Sequence, residues 1–294
     1  MGSALTRVVD ACWRRVAAVG AGVVLTGAAA LAGPGTASAA TSVKVDCPSD
    51  SLQAAIASAA PGTRLIVTGT CPGNFTIDKD LTLLGQGTAV LDGQNAGTTL
   101  AVSSGATVRV HDLRITGGSG ELAGGGISNG FFDSGGTLTL RGSVVSGNFA
   151  LVAGGGIVSN GTLRLKETTV SDNIVGAAGG GIFNSESGNA KLDDSTVSGN
   201  TTLISWGGGI ENLAALTLND TRVSGNRAAT FAGGIINFSG NATLNDSTVS
   251  GNTAGTNGGG IFLNAGEVTL NDTPVTDNVP DNCFPLGSVA GCSG

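Results

Sequence analysis

The chain has 294 residues, 51 of them Gly and none Tyr, and carries 21 acidic against 14 basic residues for a formal charge of −7. Only 12% of residues are charged, so disorder, which needs low hydrophobicity with high net charge, is excluded, and collagen is excluded because Gly does not recur at every third position. A single His removes any metal site needing two imidazoles, and the acidic balance argues against nucleic acid as a partner.

At the N-terminus, Arg7, Arg14 and Arg15 precede an apolar run from Val16 to Ala32, and Ala37-Ser38-Ala39 follows Pro34 as a small-residue cleavage signal. This order predicts a secretory signal peptide over residues 1–39 and a mature chain beginning at Ala40. The run has the length of a membrane anchor, but it is weakly apolar, and the cleavage triplet decides for removal. Arg14-Arg15 is the pair of a twin-arginine signal, yet Val16-Ala17-Ala18 lacks the pattern that should follow, so general secretion is expected. No second membrane segment follows. The product is expected to be extracellular and monomeric.

Removal of residues 1–39 leaves 11 basic against 20 acidic residues, and four Cys: Cys47, Cys71, Cys283 and Cys292. An even number of Cys in an exported chain reads as disulfides, with three connectivities open. The spacing suggests Cys47–Cys71 and Cys283–Cys292, one pair at each end. Zinc is the competing reading, but no Cys-x-x-Cys pair supports it.

Residues 40–80 read as an N-terminal cap and first coil. Over 52–60, Leu52, Ala55, Ile56 and Ala59 share one helical face, Asp50 or Ser51 can cap the start, and Pro61-Gly62 stops it. Such a helix would serve as a lid over an open coil end. Short β-type runs then follow at 64–67, 75–77, 81–84, 89–91, 107–110 and 113–116.

From about residue 124, within a body spanning 81–278, one unit recurs six times. Its anchor is Val-x-x-Asn, at Val145/Asn148, Val170/Asn173, Val197/Asn200, Val223/Asn226, Val249/Asn252 and Val275/Asn278, with intervals of 25, 27, 26, 26 and 26 residues. A second anchor is a Gly-rich step ending at Ile127, Ile157, Ile182, Ile210, Ile235 and Ile261. Between them run short alternations such as Thr137-Leu138-Thr139-Leu140, the signature of a half-buried strand. Each unit therefore reads as three short strands and three turns. So small a unit cannot bury its apolar face alone, so the copies must share one core. Stacked three-strand coils make an all-β parallel β-helix of about nine rungs, roughly 40 Å long at about 4.8 Å per rung. The recurrent Asn is expected to form an inward amide ladder, and the Gly triplets to supply positive φ at another turn. Residues 279–294 read as a disulfide-pinned tail.

The Gly-Gly-Gly-Ile and Val-Ser-Gly-Asn steps are similar to the Gly-Gly-Ala-Ile and Phe-x-x-Asn repeats of polymorphic outer membrane proteins. Over residues 46–278 the chain resembles the right-handed parallel β-helices of the pectin-lyase-like superfamily. The resemblance implies the fold and leaves the function open, because that fold carries lyases, hydrolases, esterases, adhesins and inert rods.

Glycosidases of this superfamily use clustered aspartates with Gly-His-Gly and Arg-x-Lys segments. Here the only His, His111, sits in Val110-His111-Asp112 and reads as a solvent-facing strand residue, while Arg164-Leu165-Lys166 matches the spacing alone. No Gly-x-Ser-x-Gly elbow exists to use His111 in a triad. Pectate lyases hold Ca²⁺ on carboxylates beside an Arg or Lys base, and Asp193, Asp194 and Asp220, near Lys191 and Arg222, are the candidate catalytic carboxylates.

One repeat position is acidic throughout: Glu167, Asp194, Asp220, Asp246 and Asp272. Turn chemistry is the preferred reading, with the side chains bonding nearby backbone N–H groups. The alternatives are a Ca²⁺ stripe on Asp194, Asp220, Asp246 and Asp272 and a catalytic carboxylate pair. No other cofactor is expected. The outward Thr/Ser pairs Thr169/Ser171, Thr196/Ser198 and Thr248/Ser250 read as a solvated face, interrupted by Arg222 and Pro274.

The turns after the Asn step carry large apolar residues: Phe149, Leu151, Ile174, Val175, Leu203, Ile204, Trp206 and Phe231. The residue after each repeat Ile should point outward, giving Val158, Phe183, Ile236 and Phe262. Either the turns fold over and bury these side chains locally, or they form a contiguous binding patch. Aromatic faces suit sugar rings, so Trp206, Phe231, Phe183 and Phe262 are the candidate binding residues. The expected function is a secreted, non-catalytic rod that binds a polysaccharide or cell-surface glycan. The alternatives are a polysaccharide lyase or glycoside hydrolase, and a purely structural surface protein.

Overall fold

The computed structural model describes residues 41–131 and 133–293. The expected signal peptide lies outside the described residues. The chain winds into a parallel β-solenoid of about nine turns whose strands stack into four sheets. Sheet A has ten strands, from Ser42–Asp46, Thr63–Thr68 and Leu81–Gly85 to Glu267–Asn271. Sheet B has nine, from Thr70–Pro72 to Val275–Thr276, and sheet C nine, from Phe75–Ile77 to Cys283–Phe284. Sheet D is built of six two-residue strands, from Ser119–Gly120 to Thr253–Ala254.

Period-2 alternation sends every second residue of a strand inward, and the parallel register stacks like on like. In sheet A, Leu83, Val110, Leu140, Leu165, Leu192, Leu218, Leu244 and Leu270 align rung upon rung. In sheet C the repeat isoleucines Ile127 to Ile261 do the same. Nearly all of these side chains are fully buried in one continuous core. A short helix, α1 (Leu52–Ser58), starts where the Ser51 side chain accepts the Ala54 N–H at 3.2 Å, and it buries Leu52 and Ile56 in that core. Cys47–Cys71 and Cys283–Cys292 are disulfide-bonded. No helix among the described residues is long and apolar enough to cross a membrane.

The repeat Asn forms a closed hydrogen-bond ladder. Asn173 Nδ2 donates to Asn200 Oδ1 at 3.0 Å and to the Val145 carbonyl at 3.0 Å, and Asn200 Oδ1 also accepts the Asn173 backbone N–H. The pattern continues to Asn226, Asn252 and Asn278, so each inner amide uses both donors and both lone pairs. The acidic column takes the turn from sheet A to sheet B. Glu167, Asp194, Asp220, Asp246 and Asp272 all have φ between 46° and 50°, a left-handed conformation that Asp tolerates better than most residues.

Where the sequence predicts three strands per unit, the structure has a fourth from residue 119 onward. The turn after each Asn bonds its own copy in the next rung, aligning Ser119, Phe149, Ile174, Thr201, Arg227 and Thr253. The chain then returns over the outer face of sheet C, bringing Gly124 against Val158 and Gly207 against Ile236. A side chain on Gly155, in the middle of one triplet, would sit 2.5 Å from the Ile174 carbonyl oxygen, so this return path needs Gly. Val158, Phe183 and Ile236 therefore point away from the main core but are buried, Phe183 to 3% exposure, the outcome in which the turns fold over and cover them, and Phe183 is thereby removed from the candidate binding residues. Val175, expected on an exposed turn, is buried with them.

Replacing Asn200 by Ala leaves buried donors and acceptors of Asn173, Val170 and Asn226 unpaired. This variant is expected to lose about 3 kcal/mol of stability in urea unfolding. Asn245→Ala, in a half-exposed amide column on sheet A, should lose about 1 kcal/mol or less.

Candidate functional site: a basic face on sheet A

Register sets the outward positions of sheet A in columns, two of which hold most of its basic residues. One runs Arg64, Thr82, Arg109, Thr139, Arg164, Lys191, then Thr217, Thr243 and Thr269. The other runs His111, Arg141, Lys166, Asp193, then Asn219, Asn245 and Asn271. With Lys44 on the first strand, seven of the 11 Lys and Arg residues after residue 40 lie on this face. Arg64, Arg109, Arg141, Arg164, Lys166 and Lys191 are all exposed. In these two columns the face is thus cationic over its first rungs and neutral Thr and Asn over its last three, with Glu267 at the outer edge of the final strand.

Few carboxylates answer these cations. Glu167 lies 3.5 Å from Arg141 Nε and 3.9 Å from Lys166 Nζ, and Asp193 3.0 Å from Lys191 Nζ. Among the described residues no carboxylate lies within ion-pair distance of Arg64, Arg109 or Arg164. His111 is half-buried rather than fully solvent-facing. Burial lowers its pKa; Asp112 opposes this, while Arg141, Arg64 and Arg109 add to it. The imidazole is therefore neutral at pH 7, set among guanidinium groups.

Of the candidate carboxylates, Asp193 is engaged by its neighbours, while Asp194, Asp220, Asp246 and Asp272 are exposed at turns. Burial alone would raise the Asp193 pKa, but hydrogen bonds from Asn219 at 2.6 Å and from Lys191, with the charges of Lys191 and Lys166, outweigh it and hold the carboxyl below its usual value. Asp194, Asp220 and Asp246 sit in the left-handed turn, each backbone N–H bonded to the next rung. Asp272 occupies the same turn. Among the described residues no three His, Cys, Asp or Glu side chains gather as a metal site.

Of the candidate aromatics, Trp206 and Phe231 lie in the turns that follow sheet D and Phe262 on the outer side of sheet C, all three half-buried against other rings. Trp206 stacks on Phe238 with ring centroids 6.0 Å apart, and its Nε1 donates to Glu211 Oε1 at 3.2 Å. Phe231 packs on Phe262 at 5.0 Å, and Phe262 stacks on Phe284 at 5.5 Å. Phe183 lies beneath the surface with Phe131 at 6.3 Å. Leu151, Ile174, Leu203 and Ile204 are exposed, as the sequence predicts.

The sequence reading missed the basic columns and Glu211. The columns were visible as Arg109, Thr139, Arg164 and Lys191 at one repeat position. Glu211 stood in plain view after a repeat Ile, where the other units carry Val158, Phe183, Ile236 and Phe262.

A proton NMR titration is expected to place the His111 midpoint below the usual 6.5, and Arg141→Ala should move it upward by removing one of the charges that lower it. An unchanged midpoint in that variant means that the guanidinium does not face the imidazole.

No family model and no curated protein matches this chain. Among solved structures, it is similar to the crystal structure of alginate lyase from Paenibacillus sp. str. FPU-7, at 15% identity over 84% of this chain and 97% of that chain, with a TM-score of 0.43.

Proposed function

We propose that the protein is a non-catalytic rod that binds an acidic polysaccharide, such as an anionic cell-surface glycan, along the basic face of sheet A. The supporting observation is the segregation of charge: an acidic chain gathers seven of the 11 Lys and Arg residues that follow residue 40 on one face. Successive rungs are about 4.8 Å apart, the scale of one sugar residue, so an extended polyanion lying along the solenoid meets a new outward pair at every step. Exposed Arg and Lys suit this task, since guanidinium and ammonium groups bond carboxylate and sulfate oxygens while keeping part of their hydration. The engagement of Asp193, and the use of Asp194 and Asp220 in turns, favour binding over cleavage. The half-covered aromatics make the sheet D side the less favoured glycan surface.

Binding to immobilised acidic and neutral polysaccharides, with and without chelator, tests this reading. Acidic polymers are expected to bind, and about 0.5 M salt to release them by screening. The triple variant Arg109→Ala, Arg164→Ala, Lys191→Ala should weaken binding on the order of tenfold to a hundredfold, from about 0.5–1 kcal/mol per exposed cation. Trp206→Ala should leave it unchanged. Binding only to neutral polymers, or chelator-sensitive release of unsaturated fragments lost in Asp194→Ala, would replace this reading by an aromatic surface or a lyase. Absence of all binding would leave a structural rod.

A further inference from the structure

Glu211 interrupts a column of apolar residues. In the register of sheet C its neighbours are Phe183 on one side and Ile236 on the other, and it is fully buried. Oε1 accepts the Trp206 indole N–H, while Oε2 has no partner. Two other positions of the same rung depart from their neighbours. Thr202 aligns between Val175 and Ala228 on sheet D, with its buried hydroxyl unpartnered. Trp206 aligns with Ala178 of the preceding rung. The residues that register and the hydrogen bond set beside Glu211 are neutral, Phe183 and Ile236 on sheet C and Trp206 with its stacking partner Phe238, and on sheet D the same rung carries Thr202 between Val175 and Ala228. The one cation of these elements, Arg227, aligns with Thr201 and is exposed on the opposite side of its strand.

We propose that Glu211 is a pH-operated gate beneath residues 203–206: protonated, it lets this segment close over sheet C, and ionised, it draws water under the segment and wets the Trp206 ring. A carboxylate with one hydrogen bond cannot remain dry in an apolar layer, whereas the neutral acid can. Burial raises the Glu211 pKa to about 8, against the opposing effect of the Trp206 hydrogen bond. The folded chain therefore keeps a proton that the unfolded chain releases near 4.5, and stability falls as pH rises between those two values. The backbone of the segment is tied to the rung before it by the N–H groups of Leu203, Ile204 and Trp206 at 2.9, 2.9 and 3.2 Å, so the opening is one of side chains, of which Leu203 and Ile204 are already 55% and 52% exposed. The gate is independent of the proposed glycan face, which lies on a different sheet.

The test uses the full chain with Trp13→Phe, so that Trp206 is its only indole. Emission and acrylamide quenching are followed from about pH 6 to about pH 9.5, spanning the ionisation. The emission maximum is expected to move to the red, and quenching to rise, in one step centred near pH 8, with β-sheet circular dichroism unchanged. Glu211→Gln retains an acceptor for Trp206 without ionising, and Glu211→Ile repeats the residue of the next rung; either variant that folds should give a flat profile. A flat profile in the parent chain, the same step in a variant, or a step accompanied by loss of the β-sheet signal overturns the proposal.

Discussion

A parallel strand satisfies its backbone only against strands in matching register, and strands of two to six residues have too few bonds to hold that register by themselves. Side-chain ladders supply what the short strands lack. Each inner amide of the Asn column donates once to the Asn of the next rung and once to a carbonyl of the rung before. A second buried column carries hydroxyls, in which the backbone N–H groups of Thr168, Ser195, Thr221 and Ser247 each donate to the hydroxyl one rung on. A slip of one residue would set each ladder Asn against a Gly, Asp or turn residue and each inward Leu of sheet A against an outward polar residue, so the ladders and the aliphatic core enforce the same alignment.

Outward positions escape this constraint but still stack in columns, and a small bias at one repeat position becomes a face. Arg109, Arg164 and Lys191 are separated by 27 or more residues in sequence, yet register brings them to alternate or adjacent steps of one column. Lower down the rod the same positions hold Thr217, Thr243 and Thr269, and the charge ends. The molecule thus separates two tasks. Inward and turn positions hold the solenoid together, while a few outward positions set what it can meet.

The same logic explains why some residues were legible and others were not. Val-x-x-Asn recurs because every copy occupies the same geometry, so its inward amide could be read without coordinates. The acidic column was read as turn chemistry for a similar reason; Asp194, Asp220, Asp246 and Asp272 do stand at a left-handed turn, with the backbone N–H groups of Asp194, Asp220 and Asp246 bonding the next rung. Sheet D was not legible, because a two-residue strand carries no alternation. Without sheet D and the return path that follows it, nothing in the sequence decided between cover and exposure for Phe183 or marked Glu211 as buried.

The sequence by itself determined the all-β stacked architecture, the aliphatic and amide ladders, and the pairing of Cys47 with Cys71 and Cys283 with Cys292 that its spacing suggested. These follow from local periodicity and spacing, which a single chain displays directly. Only the tertiary structure decided which outward side chains are covered and which gather into a face. Those outcomes depend on distances between residues a rung or more apart in the chain. Glu211 became a buried neutral acid when the turn carrying Trp206 closed over it, and the basic residues became a surface when parallel register laid their rungs side by side.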